Sequence, residues 1–235
     1  MENNKYYNLI PSARGSFGFA WRKIFEKSFL PLLVAVIILG ILNGPISGGT
    51  KWNFDGDFHW PFLFIFPLAL FALAYSFLFL PVVEYGQDLL FLKAMRDEEA
   101  DLKILFEGFR DKYLKIVLAN LIVTALVMLG LVMLIIPAII IGVRLVFVSY
   151  LVMDKNMEPM QAVEKSWQMT RGYGWKIFGM AILSFFIFIG GLMLCGVGII
   201  LSFIWVHAAF ASMYLAISNQ TDEDNPIPIL GVNEA

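Results

Sequence analysis

Arg144 is the residue with the clearest chemical potential, because it is the one charged residue between Ile116 and Met153. A guanidinium stays charged and offers five N–H donors that suit phosphate and carboxylate groups. An arginine inside a membrane costs about 2.5 kcal/mol or more, so it must face a polar interior or reach an interface. Arg144 is either a structural tether that leans toward the polar segment containing Asp55 and Asp57, or a ligand or lipid-headgroup contact.

Three other polar side chains stand in apolar runs and are further candidates for ligand or lipid contact. His207 is either a packing residue or a proton relay. Asn120 and Thr124, four residues apart, share a helix face in a way that is typical of interhelical hydrogen bonds. Tyr75, next to Ser76, either lines a polar cavity or packs in the bundle.

Motifs for catalysis and metal binding are missing from the sequence. One cysteine and two histidines exclude a disulfide scaffold and a Cys/His zinc cluster. No nucleophile has a nearby base, and the one suggestive pair for lipid hydrolysis, Asp154 with Ser166, has no spacing that requires the two to meet. We therefore expect no enzyme activity, no cofactor and no metal.

The elements that must position these residues are membrane-spanning helices. The chain has 235 residues, of which 59% are hydrophobic and 15% are charged, whereas soluble domains carry roughly 25% charged residues. A span of the bilayer core needs about 20 apolar residues. Run lengths predict an all-α membrane protein with six transmembrane helices, at about 25–42, 60–83, 116–134, 135–153, 177–194 and 197–217, and no Asp or Glu in any of them.

The basic residues predict how these spans are oriented. On the six-span scheme nearly all Lys and Arg residues fall on one side, and Lys51 alone falls on the other. Because cytoplasmic segments retain Lys and Arg, both termini are predicted to be cytoplasmic. Residues 1–217 form a single membrane domain, and residues 218–235, acidic and proline-containing, are predicted to be a disordered cytoplasmic tail. The net charge of −2 argues against a nucleic-acid partner.

The sequence also contains a weak threefold repeat. An aromatic residue and a Lys-Ile pair stand before each hairpin, at Lys23-Ile24, Lys115-Ile116 and Lys176-Ile177. An offset of 61 residues also places Gly130 on Gly191. Each repeat unit contains two spans, so all three hairpins insert into the membrane in the same direction. This predicts three parallel hairpin repeats around an axis along the membrane normal.

An amphipathic segment precedes each hairpin and is predicted to be an interfacial helix. Side chains on these segments are candidates for interfacial or partner contact: Trp21 on the first, Phe109 on the second, and Ser166, Trp167 and Thr170 on the third. Trp167 is alternatively an aromatic anchor at the interface.

Two stretches resemble a family of uncharacterised bacterial six-helix integral membrane proteins related to the membrane domain of glycerophosphodiester phosphodiesterase. The residues that carry the resemblance are Gly86, Leu90, Arg96-Asp97-Glu98, Leu105-Phe106, Gly108-Phe109 and Lys115, then Pro137, Arg144, Asp154, Ala162, Ser166-Trp167, Thr170, Gly172 and Trp175-Lys176. The resemblance implies a fold and a bacterial cytoplasmic (inner) membrane location rather than a reaction, since the phosphodiesterase's catalytic domain has no counterpart here.

These observations predict a multi-pass membrane protein without catalytic activity that organises lipid or protein partners through its interfacial helices. Membrane lipids are the expected partners, together with a membrane protein as a further candidate. The alternative is a transporter or channel for a small anionic solute or lipid, which an intramembrane arginine suits. A polar cavity that reaches Arg144 would favour transport, and a closed apolar bundle would not.

Overall fold

The computed structural model describes residues 11–25, 29–47, 61–193 and 197–224. Every regular element in these ranges is helical, which confirms the predicted all-α class. A π-helical stretch, Tyr75–Phe79, joins the third helix to the fourth. The helices are α1 (Ala13–Lys23), α2 (Phe29–Ser47), α3 (Pro61–Ala74), α4 (Leu80–Met95), α5 (Ile104–Asp111), α6 (Tyr113–Met133), α7 (Ile135–Leu145), α8 (Val148–Asp154), α9 (Pro159–Met169), α10 (Gly174–Met193) and α11 (Val197–Asp224).

Five helical stretches in the described residues are long and apolar enough to cross a bilayer. They are Pro67–Met95, Tyr113–Met133, Ile135–Asp154, Gly174–Met193 and Gly198–Thr221. The first apolar run of the sequence lies in α2, and its apolar part, Phe29–Asn43, is shorter than these five stretches. Large apolar side chains on α6, α7 and α10 are exposed, and Val132 and Trp175 are the most exposed of them. Apolar helices with apolar outer faces indicate a multi-pass membrane protein.

Two helices extend beyond their predicted ends. The second span was expected to end at Val83, but α4 continues to Met95 and is buried along most of its length. This candidate stretch therefore contains Glu84 and Asp88, whereas the predicted span ended just before Glu84. Likewise α11 continues to Asp224, so residues 218–224 are helical although we predicted disorder there. Both predictions ended a helix at polar residues, whereas packing against neighbouring helices continues it.

The three segments predicted to be amphipathic form α1, α5 and α9, and each packs against a long helix. Between α1 and α11, Trp205 Nε1 donates a hydrogen bond to the Phe17 carbonyl at 2.9 Å. Between α5 and α4, Gly86 lets the backbone at Leu105 approach so closely that a Cβ would overlap it. Helix α9 packs against α6 and α8. The first helix thus packs on the last one, which closes the bundle.

Two glycines allow tight hairpins at the end of the bundle away from these segments. A Cβ on Gly130 would lie 2.9 Å from the Cα of Ala138, and a Cβ on Gly191 would lie 2.6 Å from the carbonyl oxygen of Gly198. Both glycines therefore allow two helices to touch backbone to backbone just before the chain reverses.

The opposite end of the bundle is held by charged residues from different segments. Lys23 forms an ion pair with Asp97, and Lys115 Nζ lies 2.9 Å from Glu158 Oε1. Arg96 donates two hydrogen bonds to Asp154, at 2.5 and 2.8 Å. Burial lowers the pKa of the Arg96 guanidinium, but the hydrogen bonds and charge of Asp154 outweigh it, so the pKa is raised above its ordinary value. These pairs connect the end of α1, the loop after α4, the end of α8, the start of α6 and the residue before α9 at one end of the bundle.

Candidate functional site

A groove of about 560 Å³ runs beside Arg144, between α7 and the start of α10. Its walls are apolar side chains of α7, Gly172 and Gly174, and the aromatic rings of Trp175 and Phe178. Gly172 has φ +82°, a left-handed conformation in which glycine avoids a Cβ clash, and it turns the chain from α9 toward α10. The groove is therefore mainly apolar, and Arg144 is the one charged side chain among the described residues that line it.

The guanidinium of Arg144 has one neighbour that suits its charge. Its Cζ lies 5.7 Å from the centroid of the Trp167 ring, a cation–π contact. Its Nη1 is buried and has no hydrogen-bond partner in the part of the chain that the structure describes. Leaving a buried donor unpaired costs about 1–3 kcal/mol, so an anionic acceptor in the groove would be stabilised there.

The position of Arg144 differs from its expected outward lean. Its predicted partners, Asp55 and Asp57, lie outside the described residues. Trp167, which the guanidinium does contact, belongs to α9, the helix expected on the cytoplasmic side. The guanidinium of Arg144 therefore contacts the Trp167 ring, because α9, which carries Trp167, packs against α7.

The backbone at Arg144 is fixed by two hydroxyl groups from α9. Helix α7 ends at Leu145, so the Arg144 carbonyl is one of the last four that a helix end leaves without an internal partner. Ser166 Oγ donates to this carbonyl at 2.8 Å, and Thr170 Oγ1 donates at 3.4 Å. Both side chains are buried, which corrects their prediction as contacts for an outside partner. They hold the helix end that carries Arg144.

A second polar region, which the sequence did not predict as a site, lies between α2, α4 and α11. A cavity of about 250 Å³ is lined there by Leu39 and Asn43 of α2, Glu84, Gln87 and Asp88 of α4, and Phe203 and His207 of α11. The spacing of the α4 residues, at i, i+3 and i+4, places them on one helix face. The same spacing is present in the sequence, but the predicted span ended at Val83, so the three residues were not assigned to a helix face.

Asp88 is the best-connected side chain in this cavity. Its Oδ2 accepts a hydrogen bond from Ser149 Oγ at 2.6 Å. Its Oδ1 lies 3.5 Å from His207 Nδ1, and the His207 ring packs on Phe203 with centroids 4.3 Å apart. The serine hydroxyl donates its hydrogen bond to the carboxylate and not to the imidazole, so this is not the order in which the residues of a catalytic triad activate a nucleophile.

Gln87 is the unsatisfied group of the cavity. Its side chain is 2% exposed, and its Nε2 has no hydrogen-bond partner among the described residues. Glu84, by contrast, is exposed. No cluster of three or more His, Cys, Asp and Glu side chains in the described ranges is arranged to hold a metal ion.

The remaining predicted residues lie apart from both regions. Tyr75 donates a hydrogen bond through its hydroxyl to the Leu42 carbonyl at 3.2 Å. Asn120 is half-buried on α6 and lines neither the groove nor the cavity. Trp21 packs on Trp205, and Phe109 on Phe79, with ring centroids 4.8 and 5.2 Å apart.

The pair considered for lipid hydrolysis is also separated. Asp154 binds Arg96 and accepts a hydrogen bond from the Tyr214 hydroxyl at 3.2 Å. Ser166 is bonded to the Arg144 carbonyl instead. Each side chain is thus committed to a different structural partner.

Comparisons with protein-family models, with curated proteins and with solved structures find no match to this chain, so the family resemblance stays a prediction.

Proposed function

We propose that this chain is a non-catalytic multi-pass protein of the bacterial cytoplasmic membrane that holds an anionic lipid in the groove beside Arg144. The observation that carries the proposal is the buried Nη1 of Arg144, which has no hydrogen-bond partner among the described residues, on a side chain that lines an apolar groove. A phospholipid matches both features, because its phosphate accepts hydrogen bonds from a guanidinium while its acyl chain covers apolar side chains.

The depth of the groove fits a lipid headgroup. Gly174 marks the start of a candidate span, and it lines the same groove as Arg144. Trp167 contacts the guanidinium and Trp175 lines the groove, and tryptophan is enriched where hydrocarbon meets the headgroups. These features support a position of Arg144 near an interface, where a lipid phosphate can reach it.

The proposed topology has six spans as three parallel hairpins, with α2 as part of the first span and both termini in the cytoplasm. The network of Lys23, Arg96 and Lys115 supports this scheme, since it collects the basic segments at one end of the bundle. The matched roles of Gly130 and Gly191 support the repeat. Helices α1, α5 and α9 are the proposed interfacial elements. Membrane lipids are their proposed partners, and a membrane protein is a further proposed partner.

Lipid retention by the purified full-length chain tests the proposed function. Native mass spectrometry of protein released from mild detergent is expected to show bound phosphatidylglycerol in preference to phosphatidylcholine. Replacement of Arg144 with Leu is expected to lower the occupancy of phosphatidylglycerol at least tenfold, and Arg144→Lys to lower it less, since Lys keeps the charge but loses the planar fork.

A matched control is available on α10. Lys176 Nζ also lies over an aromatic ring, 5.1 Å from the Tyr173 centroid, but it does not line the groove. Lys176→Leu is expected to keep the lipid preference. Equal retention of the two lipids by the unmodified protein, or an unchanged preference in Arg144→Leu, contradicts the proposal.

The alternative, transport of a small anionic solute, receives less support from the same geometry. The groove at Arg144 has apolar walls, whereas the polar cavity carries two carboxylates that repel anions. An Arg144-dependent uptake of a soluble anion into proteoliposomes would favour this alternative over lipid binding.

A further inference from the structure

We propose that the cavity between α2, α4 and α11 binds a small monovalent metal cation, of the Na⁺ or K⁺ class, that keeps part of its water shell. This site is separate from the groove at Arg144, and it does not depend on the lipid proposal.

The charges that face the cavity favour a cation. Glu84 and Asp88 contribute carboxylates from α4, α11 contributes His207, and α2 contributes the neutral Asn43. No lysine or arginine among the described residues lines the cavity. The side chain of Ser149 on α8 reaches Asp88 as a hydrogen-bond donor and adds no charge. The local balance is therefore negative, and His207 supplies positive charge only when protonated.

The placement of the two carboxylates favours a compensating charge. Glu84 and Asp88 are four residues apart, about one turn of helix, so negative charges on both would repel each other. A cation bound between them lowers this repulsion.

Gln87 provides independent evidence that a polar ligand belongs in the cavity. Its amide nitrogen is a buried donor without a partner in the described part of the chain, and its side chain lines the cavity. A metal ion cannot accept a hydrogen bond, but the oxygen of a water molecule bound to the ion can. The volume of about 250 Å³ leaves room for several waters of roughly 30 Å³ each.

The donor set favours a monovalent ion over a divalent one. Calcium takes 6–8 oxygen ligands, commonly with several carboxylates, and zinc takes four nitrogen or sulfur ligands. The described residues contain no cluster of three or more His, Cys, Asp and Glu side chains able to hold a metal. Two carboxylates with amide groups and water suit a weakly held, hydrated monovalent cation.

Thermal unfolding of the purified full-length protein tests this site. The unfolding temperature is measured at constant ionic strength while choline chloride is replaced by NaCl or KCl. A saturable rise with one of the metal cations is expected, because a ligand that binds the folded state raises its stability with concentration. Direct binding of radioactive ²²Na⁺, with unlabelled Na⁺ and K⁺ as competitors, gives a second measurement.

Variants locate the effect. In Asp88→Asn and in Glu84→Gln, the concentration for half-maximal stabilisation is expected to rise at least tenfold. If Asp88→Asn does not fold, Glu84→Gln carries the test, since Glu84 is exposed and its replacement leaves the Ser149 contact in place. Glu164→Gln, an exposed carboxylate on α9, is the matched control and is expected to behave as the unmodified protein.

Three results overturn the proposal: equal unfolding temperatures in NaCl, KCl and choline chloride, an unchanged cation response in a folded cavity variant, or stabilisation by MgCl₂ alone. Arg144→Leu separates this site from the lipid groove, since it is expected to lose lipid preference and keep the cation response.

Discussion

The Arg144 groove and the carboxylate cavity place charge in the same bundle in opposite ways. In the groove, the one cation is stacked on Trp167 and its Nη1 is unpaired among the described residues. In the cavity, Asp88 is bonded to Ser149 and lies near His207. A side chain that is satisfied within the chain serves the fold first, whereas an unsatisfied one is available to a ligand. The comparison therefore identifies Arg144 and Gln87 as the described residues whose buried donors are most available to a ligand.

The two regions also differ in how tightly their backbones are packed, and Gly86 provides the largest expected effect. Gly86→Ala would drive a Cβ into the Leu105 backbone of α5, which packs on the helix that carries Glu84 and Asp88. We expect about 3 kcal/mol of destabilisation, since overpacking against backbone cannot be relieved by a rotamer change. Chemical denaturation in detergent micelles measures the loss of stability.

Gly142 on α7 is the matched position near the groove. A Cβ there meets nothing within 4 Å among the described residues, so Gly142→Ala is expected to stabilise the protein by about 0.5–1 kcal/mol through helix propensity. A loss at Gly142 as large as at Gly86 would contradict the difference in packing.

The next effect concerns Asp154, at the charged end of the bundle. Asp154→Asn removes the carboxylate that accepts two bonds from Arg96 and one from Tyr214. Because hydrogen bonds to charged groups contribute about 1.5–3 kcal/mol, we expect a loss of about 2 kcal/mol. Thermal unfolding at several salt concentrations measures it. A loss below about 0.5 kcal/mol, roughly that of an exposed pair, would show that this contact is solvent-screened.

Two serines allow the groove and the cavity to be compared directly. Ser149 donates one hydrogen bond in the cavity, and Ser166 donates one beside the groove. Ser149→Ala removes a donor to the Asp88 carboxylate, and Ser166→Ala removes a donor to the Arg144 carbonyl. We expect about 2 kcal/mol of destabilisation for the first and about 1 kcal/mol for the second, since charged acceptors form the stronger bonds. Unfolding of the two variants side by side tests the order, and a reversal would contradict a stronger hydrogen bond at Asp88.

A small effect is expected at Arg144, and, as at Gly142, it is stabilising. With lipid removed, Arg144→Leu is expected to raise the free energy of unfolding by about 1 kcal/mol, because it deletes an unpaired buried donor at the cost of one cation–π contact. Unfolding before and after addition of phosphatidylglycerol measures both states. Raised stability with unchanged lipid response would leave Arg144 without a binding role.

The sequence predicted the helical class, because long uncharged runs have few alternatives to membrane helices. It also located Arg144, which stands out by charge alone. It did not predict the polar cavity, because an apolar run was ended at the first carboxylate, Glu84. Whether a carboxylate ends a helix or faces a cavity depends on neighbouring helices, and these are distant in sequence: Asp88 contacts residues 149 and 207.

The roles of Ser166 and Thr170 were likewise beyond a sequence argument. Their types and spacing on a helix predict exposed or buried positions equally well, and only the end of α7 at Leu145 makes the Arg144 carbonyl an acceptor for them. A helix end inside a predicted span has no reliable sequence signal here, since the residues at 146 and 147, Val and Phe, are apolar.

The π-helical stretch from Tyr75 to Phe79 has a consequence for how this chain tolerates insertions and deletions. Each residue added to a helix rotates the later residues by about 100° around the helix axis, and a π-helical turn commonly corresponds to one extra residue within an α-helix. Because the wider turn accommodates this extra residue, deleting one residue there would restore a regular α-helical turn and keep Glu84 and Asp88 on the face of α4 that lines the cavity. A deletion within α4 would instead rotate every residue after it, so we expect variants to accept a one-residue deletion at Tyr75–Phe79 more readily than within α4.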